Sequence, residues 1–449
     1  MLKRIHIKGY KSLQDLEVKL GAFCVLFGPN ASGKSNFLDA LQLIGRIVQS
    51  RTLKEAFAAP YRGSPLESFS FPDDGLKGLL KKHSARFSVE VDVELSDLTI
   101  KHVDRLIKEM KQSGAVMVKE EAAEYESNAE KALKSQYIRE KYLRYRIEVE
   151  ILPKSGILRV VDEHVTALNS KGELKTGRNA FLEKIEGKLH LRMEGQAHPT
   201  YHDVHLDHSI LSMPLYPPHY PHITALKHEL SGWSVYYFEP REKMRGSNSV
   251  KEVTHIGLMG EELAPFLNTL KATEQGQNQL RGIAKAMNTI IPSITNIDVD
   301  VNDIGEVELK IIEGNVPIPA RVVSEGTLRV LGLLSLSASK EPITLVGFEE
   351  PENGVHPRRI RLIAELLKTM ASGGNAQIIV TTHSPILPDL IPDENLYVCR
   401  RSKGVTEINP FSIWGALAKN NAIDEGLEEL PAAEKMPVSV RMLRGDFDA

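Results

Sequence analysis

Gly28, Pro29, Asn30, Ala31, Ser32, Gly33, Lys34 and Ser35, followed by Asn36, carry the spacing G-x-x-x-x-G-K-[ST]. The glycines let the backbone turn successive N–H groups inward around a phosphate. Lys34 offers a point charge to the outer phosphates, and the Ser35 hydroxyl can ligate Mg²⁺. A second stretch, TLVGFEEPENGVHP at residues 344–357, is an apolar run that ends in two adjacent carboxylates and a proline. There Glu349 can hold a metal-bound water, and Glu350 can accept a proton from an attacking water or orient it. The structural alternative is two solvated glutamates that cap a helix beginning near His356, a capping role also open to Glu352 or Asn353. Ser324 and Gly326 open a third stretch, SEGTLRVLGLLSL, where a serine N-cap and a glycine leave bare N–H groups for an anion. A fourth, VTTHSP, ends an apolar run in His383, whose imidazole can reach a terminal phosphate.

Elements that could hold these residues are legible around them. Residues 22–27 (AFCVLF) are a continuous apolar run, as in a strand buried on both faces. Phe37, Leu38, Leu41, Ile44 and Val48 then fall on one helical stripe, so the glycine loop joins a buried strand to a helix. Ile5 and Ile7, then Leu16, Val18 and Leu20, alternate as two sheet strands, and alternation returns at residues 86–94 and 142–152. Between those last two, residues 97–141 are polar with helical spacing and read as a helical insertion. Residues 196–232 are rich in proline and histidine and read as an irregular connection. Residues 233–238 resume a buried strand, residues 296–312 read as a hairpin, and residues 321–400 alternate loop, helix and buried strand. A polar tail follows, with one short helix expected around Trp414.

The chain has 449 residues, 26% charged and 42% hydrophobic, with a formal net charge of −3. Nucleic-acid contact would therefore need a local basic patch made by folding. Two cysteines, Cys24 and Cys399, lie in apolar runs and suit buried thiols in a reducing compartment. No run approaches the ~18 apolar residues of a membrane span, so a cytoplasmic protein without a membrane partner is expected. His198, His202, His205 and His208 are closely spaced with Asp203 and Asp207, but the surrounding prolines and the lack of a cysteine favour a polar loop over a metal site.

In this order the four motifs resemble those of ABC-type ATPases of the RecF/SMC/OLD class, within them the AAA_21-like, OLD-like branch of AAA family ATPases found in bacterial anti-phage defence. The opening IHIKGYKSLQDLEVKLGAFCVLFGPNASGKSNFLDAL carries the likeness, with VSEGTLRVLGLLSL, FEEPENGVHP and VTTHSP matching its signature, Walker B with D-loop, and switch segments. The resemblance implies an α/β P-loop NTPase fold, an ABC-type ATPase head with an antiparallel β section and a helical insertion. Residues 1–96 and 142–195 would form an N-terminal ATPase lobe with Walker A, residues 233–400 a C-terminal lobe, and residues 401–449 a tail. It further implies an ATP sandwich. Residues 28–36 of one head would bind ATP and Mg²⁺ with Ser324 and Gly326 of a second head, Ser35 and Glu349 holding the metal, Glu350 acting as base and His383 sensing the γ-phosphate. Asn353 and Gly354 would meet the opposite site. A homodimer or higher even oligomer is expected.

The tail is too short for the TOPRIM nuclease domain of full OLD proteins, so a separate TOPRIM-like or HNH-like effector is the implied partner, with DNA as a further candidate. Two departures stand out: Glu349 occupies a position where most members have aspartate, and no glutamine matches the Q-loop. A RecF-like repair clamp is the alternative function. A transporter head is disfavoured by the helical insertion and the absence of a full LSGGQ signature.

Overall fold

The computed structural model describes residues 1–115, 137–196, 198–339, 343–374, 376–413 and 437–447. They fall into two compact units, residues 1–20 with 40–233, and residues 21–39 with 234–449. The expected helix around Trp414 and most of the second half of the 97–141 insertion lie outside the described residues.

The first unit is built on an eight-stranded sheet in the order Leu13–Lys19, Leu2–Tyr10, Ala85–Glu94, Tyr142–Leu152, Ile157–Ala167, Leu182–Ile185, Lys188–Leu191, Thr200–Asp203. Every described pairing in it is antiparallel. Alternation sets the register: Val89 faces Ile147 and Val91 faces Tyr145, and all four side chains are fully buried. Between them, Glu90 pairs with Arg4 at 2.7 Å, while Arg86 and Arg159 flank the Glu150 carboxylate at 2.9 and 2.6 Å. The helix Asp97–Ala115 leaves the sheet between two adjacent strands.

Residues 196–232 depart from the irregular connection expected of them. They contain the edge strand Thr200–Asp203 and the helix Pro221–Ser231, which begins on a proline and buries His222, Ile223, Leu226 and Leu230. The histidine content hid that helix, because His222 is a core residue. Its Nδ1 lies 2.6 Å from Glu194 Oε2, and its Nε2 accepts the backbone N–H groups of Arg139 and Glu140.

The second unit holds a six-stranded sheet in the order Trp233–Tyr236, Leu345–Glu349, Gln377–Thr382, Phe23–Phe27, Leu396–Ser402, Val405–Pro410. Its centre is parallel and its last pair antiparallel. Parallel strands are covered on both faces, which is why FCVLF and QIIVTT are buried at every position. Each such aliphatic side chain contributes about 1.5–3 kcal/mol when fully buried. This pairing groups the strand Phe23–Phe27 and its loop with residues 234–449, whereas the linear sequence places them with an N-terminal lobe. A separate antiparallel sheet contains Ile294–Val301 and Glu306–Glu313, turning at Gly305. The expected polar tail is partly structured: Val405–Pro410 is a sheet strand, and Phe447 is 1% exposed.

Candidate active site

Three adjacent parallel strands of the second unit end side by side. In the register, Glu349 is level with Thr381, and Thr382 is level with Phe27. The next residues in each strand are therefore Glu350, His383 and Gly28. Ligands of open α/β sheets bind at these carboxyl ends, where loops diverge from the sheet.

The loop after Phe27 is tightly specified. Gly28 has φ +150°, and a Cβ there would stand 1.9 Å from the Cys399 carbonyl oxygen. Gly33 has φ +105°, and a Cβ would stand 2.0 Å from Thr406 Oγ1. Thr406 Oγ1 donates to Ser32 O at 2.9 Å, so the strand Val405–Pro410 braces the loop from behind. Ala31 also has positive φ. The helix Lys34–Gln49 starts at the end of the loop. Lys34 Nζ donates to Gly28 O at 2.9 Å, Pro29 O at 2.8 Å and Ser32 Oγ at 3.4 Å. Burial lowers its pKa, against the pull of Cys399, Glu350 and Glu349.

Ser35 Oγ is hydrogen-bonded to Glu349 Oε1. A hydroxyl and a carboxylate converging at one point are the hard oxygen donors that Mg²⁺ takes, with its other positions left to water and phosphate. The donor set fits that ion, and glutamate in place of aspartate still reaches the serine. Among the described residues no three His, Cys, Asp or Glu side chains group as an all-protein metal site would require.

Glu350 has φ +51°, a left-handed conformation that a non-glycine residue adopts at a cost of about 1–2 kcal/mol. Its N–H bonds to Thr381 O at 2.9 Å, and its Oε1 lies 2.6 Å from His383 Nδ1. Asn353 Nδ2 approaches Oε2 at 3.5 Å. Backbone strain of this kind concentrates at functional positions. Glu352 does not cap the following helix. His356 does, its Nδ1 accepting Arg358 N–H, while Glu352 is buried and bonded to Thr382 Oγ1.

Ser324 caps the helix Glu325–Ser335, its Oγ accepting Thr327 N–H at 3.2 Å. A Cβ on Gly326 would stand 2.2 Å from Gly354 O, so this glycine is also required by close packing of two backbones. The structure thus brings residues 28–36, Glu349, Glu350 and His383 to one place, and brings Gly326, two residues after Ser324, against Gly354.

Three neighbours were not visible in the sequence. Thr406 and Cys399 come from strands distant in the chain. Arg329 lies one turn into the helix after Ser324. Its Nε finds no hydrogen-bond partner among the described residues, and the charges of Glu325, Glu350 and Glu352 act on it.

Two family models match the chain, one described as "AAA ATPase domain" over residues 1–164 and one as "AAA domain, putative AbiEii toxin, Type IV TA system" over residues 256–389. The chain is 39% identical over 44 residues to an OLD nuclease of Thermus scotoductus, which covers 10% of this chain and 8% of that protein. It is 34% identical over 55 residues to the DNA replication and repair protein RecF of Trichodesmium erythraeum, covering 12% of this chain and 14% of RecF. The match thus spans less than a sixth of either relative. An SMC head crystallised with the C-winged helix domain of ScpA aligns over 91% of this chain and 97% of its own, with TM-score 0.51 and 12% identity. The fold resembles that of an SMC head domain. Residues 1–164 and 256–389 are thus each similar to an AAA-type ATPase domain, which implies nucleotide binding and hydrolysis, and short stretches are similar to an OLD nuclease and to RecF.

Proposed function

We propose that this chain is an ATP-hydrolysing head that pairs with a second copy and controls a separate nuclease-type effector in defence against phage. The observation that carries the catalytic part is the convergence of three strand ends, with Ser35 on Glu349 and His383 on Glu350. The short likeness to an OLD nuclease and the toxin–antitoxin description of one matching family support the defence setting.

In this reading the loop N–H groups and Lys34 bind the phosphate chain, Lys34 exchanging its bonds to Gly28 O and Pro29 O for phosphate oxygens. Ser35 and Glu349 would hold Mg²⁺, which would supply charge neutralisation at the phosphates. Glu350 accepts the proton of the attacking water at Oε2, the oxygen not held by His383. His383 donates from Nδ1 to keep the carboxylate aimed, and Ser324 and Gly326 of the second head complete the site.

The test is to purify the full chain from its host with ATP present and identify stoichiometric partners by mass spectrometry, with Lys34→Ala in parallel. A nuclease-like protein retained by the parent and released or altered in Lys34→Ala supports the reading. A bare dimer whose turnover requires DNA refutes it. That outcome would favour a RecF-like repair function, to which the RecF likeness lends support; its own test is an ATP-dependent, salt-sensitive shift of duplex DNA.

A further inference from the structure

Residues 437–447 return to the nucleotide loop. A cavity of about 260 Å³ is lined by Gly28, Pro29, Asn30 and His383 on one side and by Met442, Leu443 and Phe447 on the other. The returning segment is firmly seated. Phe447 packs edge-on against Phe27, the residue before Gly28, with ring centroids 5.2 Å apart. Arg441 places its guanidinium 5.0 Å from the Phe447 ring and bonds Asp446 at 3.3 Å. Ser439 N–H is held by Asp389 Oδ1 at 3.0 Å, on the segment that follows His383. Leu443, by contrast, is 79% exposed, an apolar side chain standing at the cavity rim.

The position of Lys34 orients this cavity. Its ammonium lies against Gly28 O and Pro29 O, so that end of the loop receives the outer phosphates, while the helix start receives the inner ones. On that orientation a diphosphate seated on the helix start would end short of Asn30 and His383, whereas a triphosphate would extend into the space they share with the segment.

We propose that residues 437–447 are the apolar wall of a terminal-phosphate compartment, docking more tightly when a nucleoside triphosphate, rather than a diphosphate, occupies the loop; this rests on the assignment of residues 28–36 to nucleotide binding. The differential contact is physical. A third phosphate would fix Gly28 and Asn30 beside the Phe27–Phe447 pair and so steady the segment packed there, with Met442 and Leu443 flanking its compartment. Because the coupling is reciprocal, whatever displaces the segment weakens triphosphate binding by the same factor. The chain's own C-terminal segment thereby reports the state of the nucleotide.

The test is hydrogen exchange of the full chain with Mg²⁺ and either a non-hydrolysable ATP analogue or ADP, together with the affinities of both. Amides of residues 437–447 should exchange about tenfold more slowly with the analogue and remain unchanged with ADP. Leu443→Ser, a change at an exposed position that leaves folding intact, should weaken the analogue about threefold to tenfold and ADP less than about twofold. Phe447→Ala should do the same more strongly. Equal protection by both nucleotides, or equal weakening of both, overturns the proposal, as does unaltered exchange while residues 28–37 are protected. If neither nucleotide protects residues 28–37, the nucleotide-loop assignment itself fails.

Discussion

Replacing Glu350 by glutamine tests the site most directly, because the amide keeps nearly everything except the ability to take a proton. The variant retains the left-handed backbone at φ +51°, the Glu350 N–H to Thr381 O bond, and an oxygen for His383 Nδ1. Folding should therefore be unchanged, with melting temperatures agreeing to about 1 °C. Removing a positioned general base typically lowers turnover 10²- to 10⁴-fold, equivalent to about 3–5 kcal/mol in the barrier. The side chain is 27% exposed, so water retains some access and the loss is expected near the lower end, about 10²- to 10³-fold. Phosphate release at saturating ATP measures turnover, and a fluorescent ATP analogue measures affinity, which should stay within about threefold. With hydrolysis blocked, ATP should hold the variant as a dimer in gel filtration. Turnover within about threefold of the parent refutes the role of Glu350 as base. A comparable loss of nucleotide affinity also refutes it, since that pattern belongs to a residue that shapes the loop.

His383→Ala removes the 2.6 Å contact that aims Glu350, and because His383 is 47% exposed the expected fall in turnover is about tenfold, read in the same phosphate-release assay. Gly28→Ala puts a Cβ into the Cys399 carbonyl and a strained φ on alanine, at a combined cost of about 2–5 kcal/mol. Thermal unfolding should show a drop of at least about 5 °C, and an unchanged melting temperature would contradict the packing of loop on strand. Glu352 is 5% exposed, and its Oε2 has no hydrogen-bond partner among the described residues. Burial, with the charge of Glu350 adding to it, raises its pKa against the hydrogen bond from Thr382. A raised folded pKa contributes stability at pH below the ordinary carboxylate range, and that contribution is lost as pH rises through the folded value. Glu352→Gln carries no such titration, so its stability relative to the parent should grow between about pH 5 and pH 8. Melting curves at both ends check the sign, and a difference that shrinks with rising pH would refute it.

Much of the candidate site is legible in the linear sequence, for a specific reason. Phosphate chemistry needs a short glycine loop with its lysine and serine at fixed local spacing, so residues 28–36 are recognisable as one contiguous string. Strand-end carboxylates and a strand-end histidine are also local, since a buried parallel strand is an apolar run and its exit is the first polar residue. Hence Glu349, Glu350 and His383 could be picked out singly. Their convergence followed only from the strand order, which seats Phe23–Phe27 between Gln377–Thr382 and Leu396–Ser402 across more than 350 residues of chain.

Composition misled where a residue type serves the core. Histidine and proline at residues 196–232 suggested irregular chain, yet Pro221 starts a helix and His222 is buried with both ring nitrogens engaged. The polar run after residue 400 concealed a strand that braces the loop and a phenylalanine packed beneath it. The chemistry on offer is legible locally, because it resides in residue types at short spacing. Which groups meet, the left-handed conformation of Glu350, and the seating of Met442, Leu443 and Phe447 beside Asn30 and His383 arise in the folded chain alone. Those outcomes depend on register and packing between segments far apart in the chain, which no local pattern encodes.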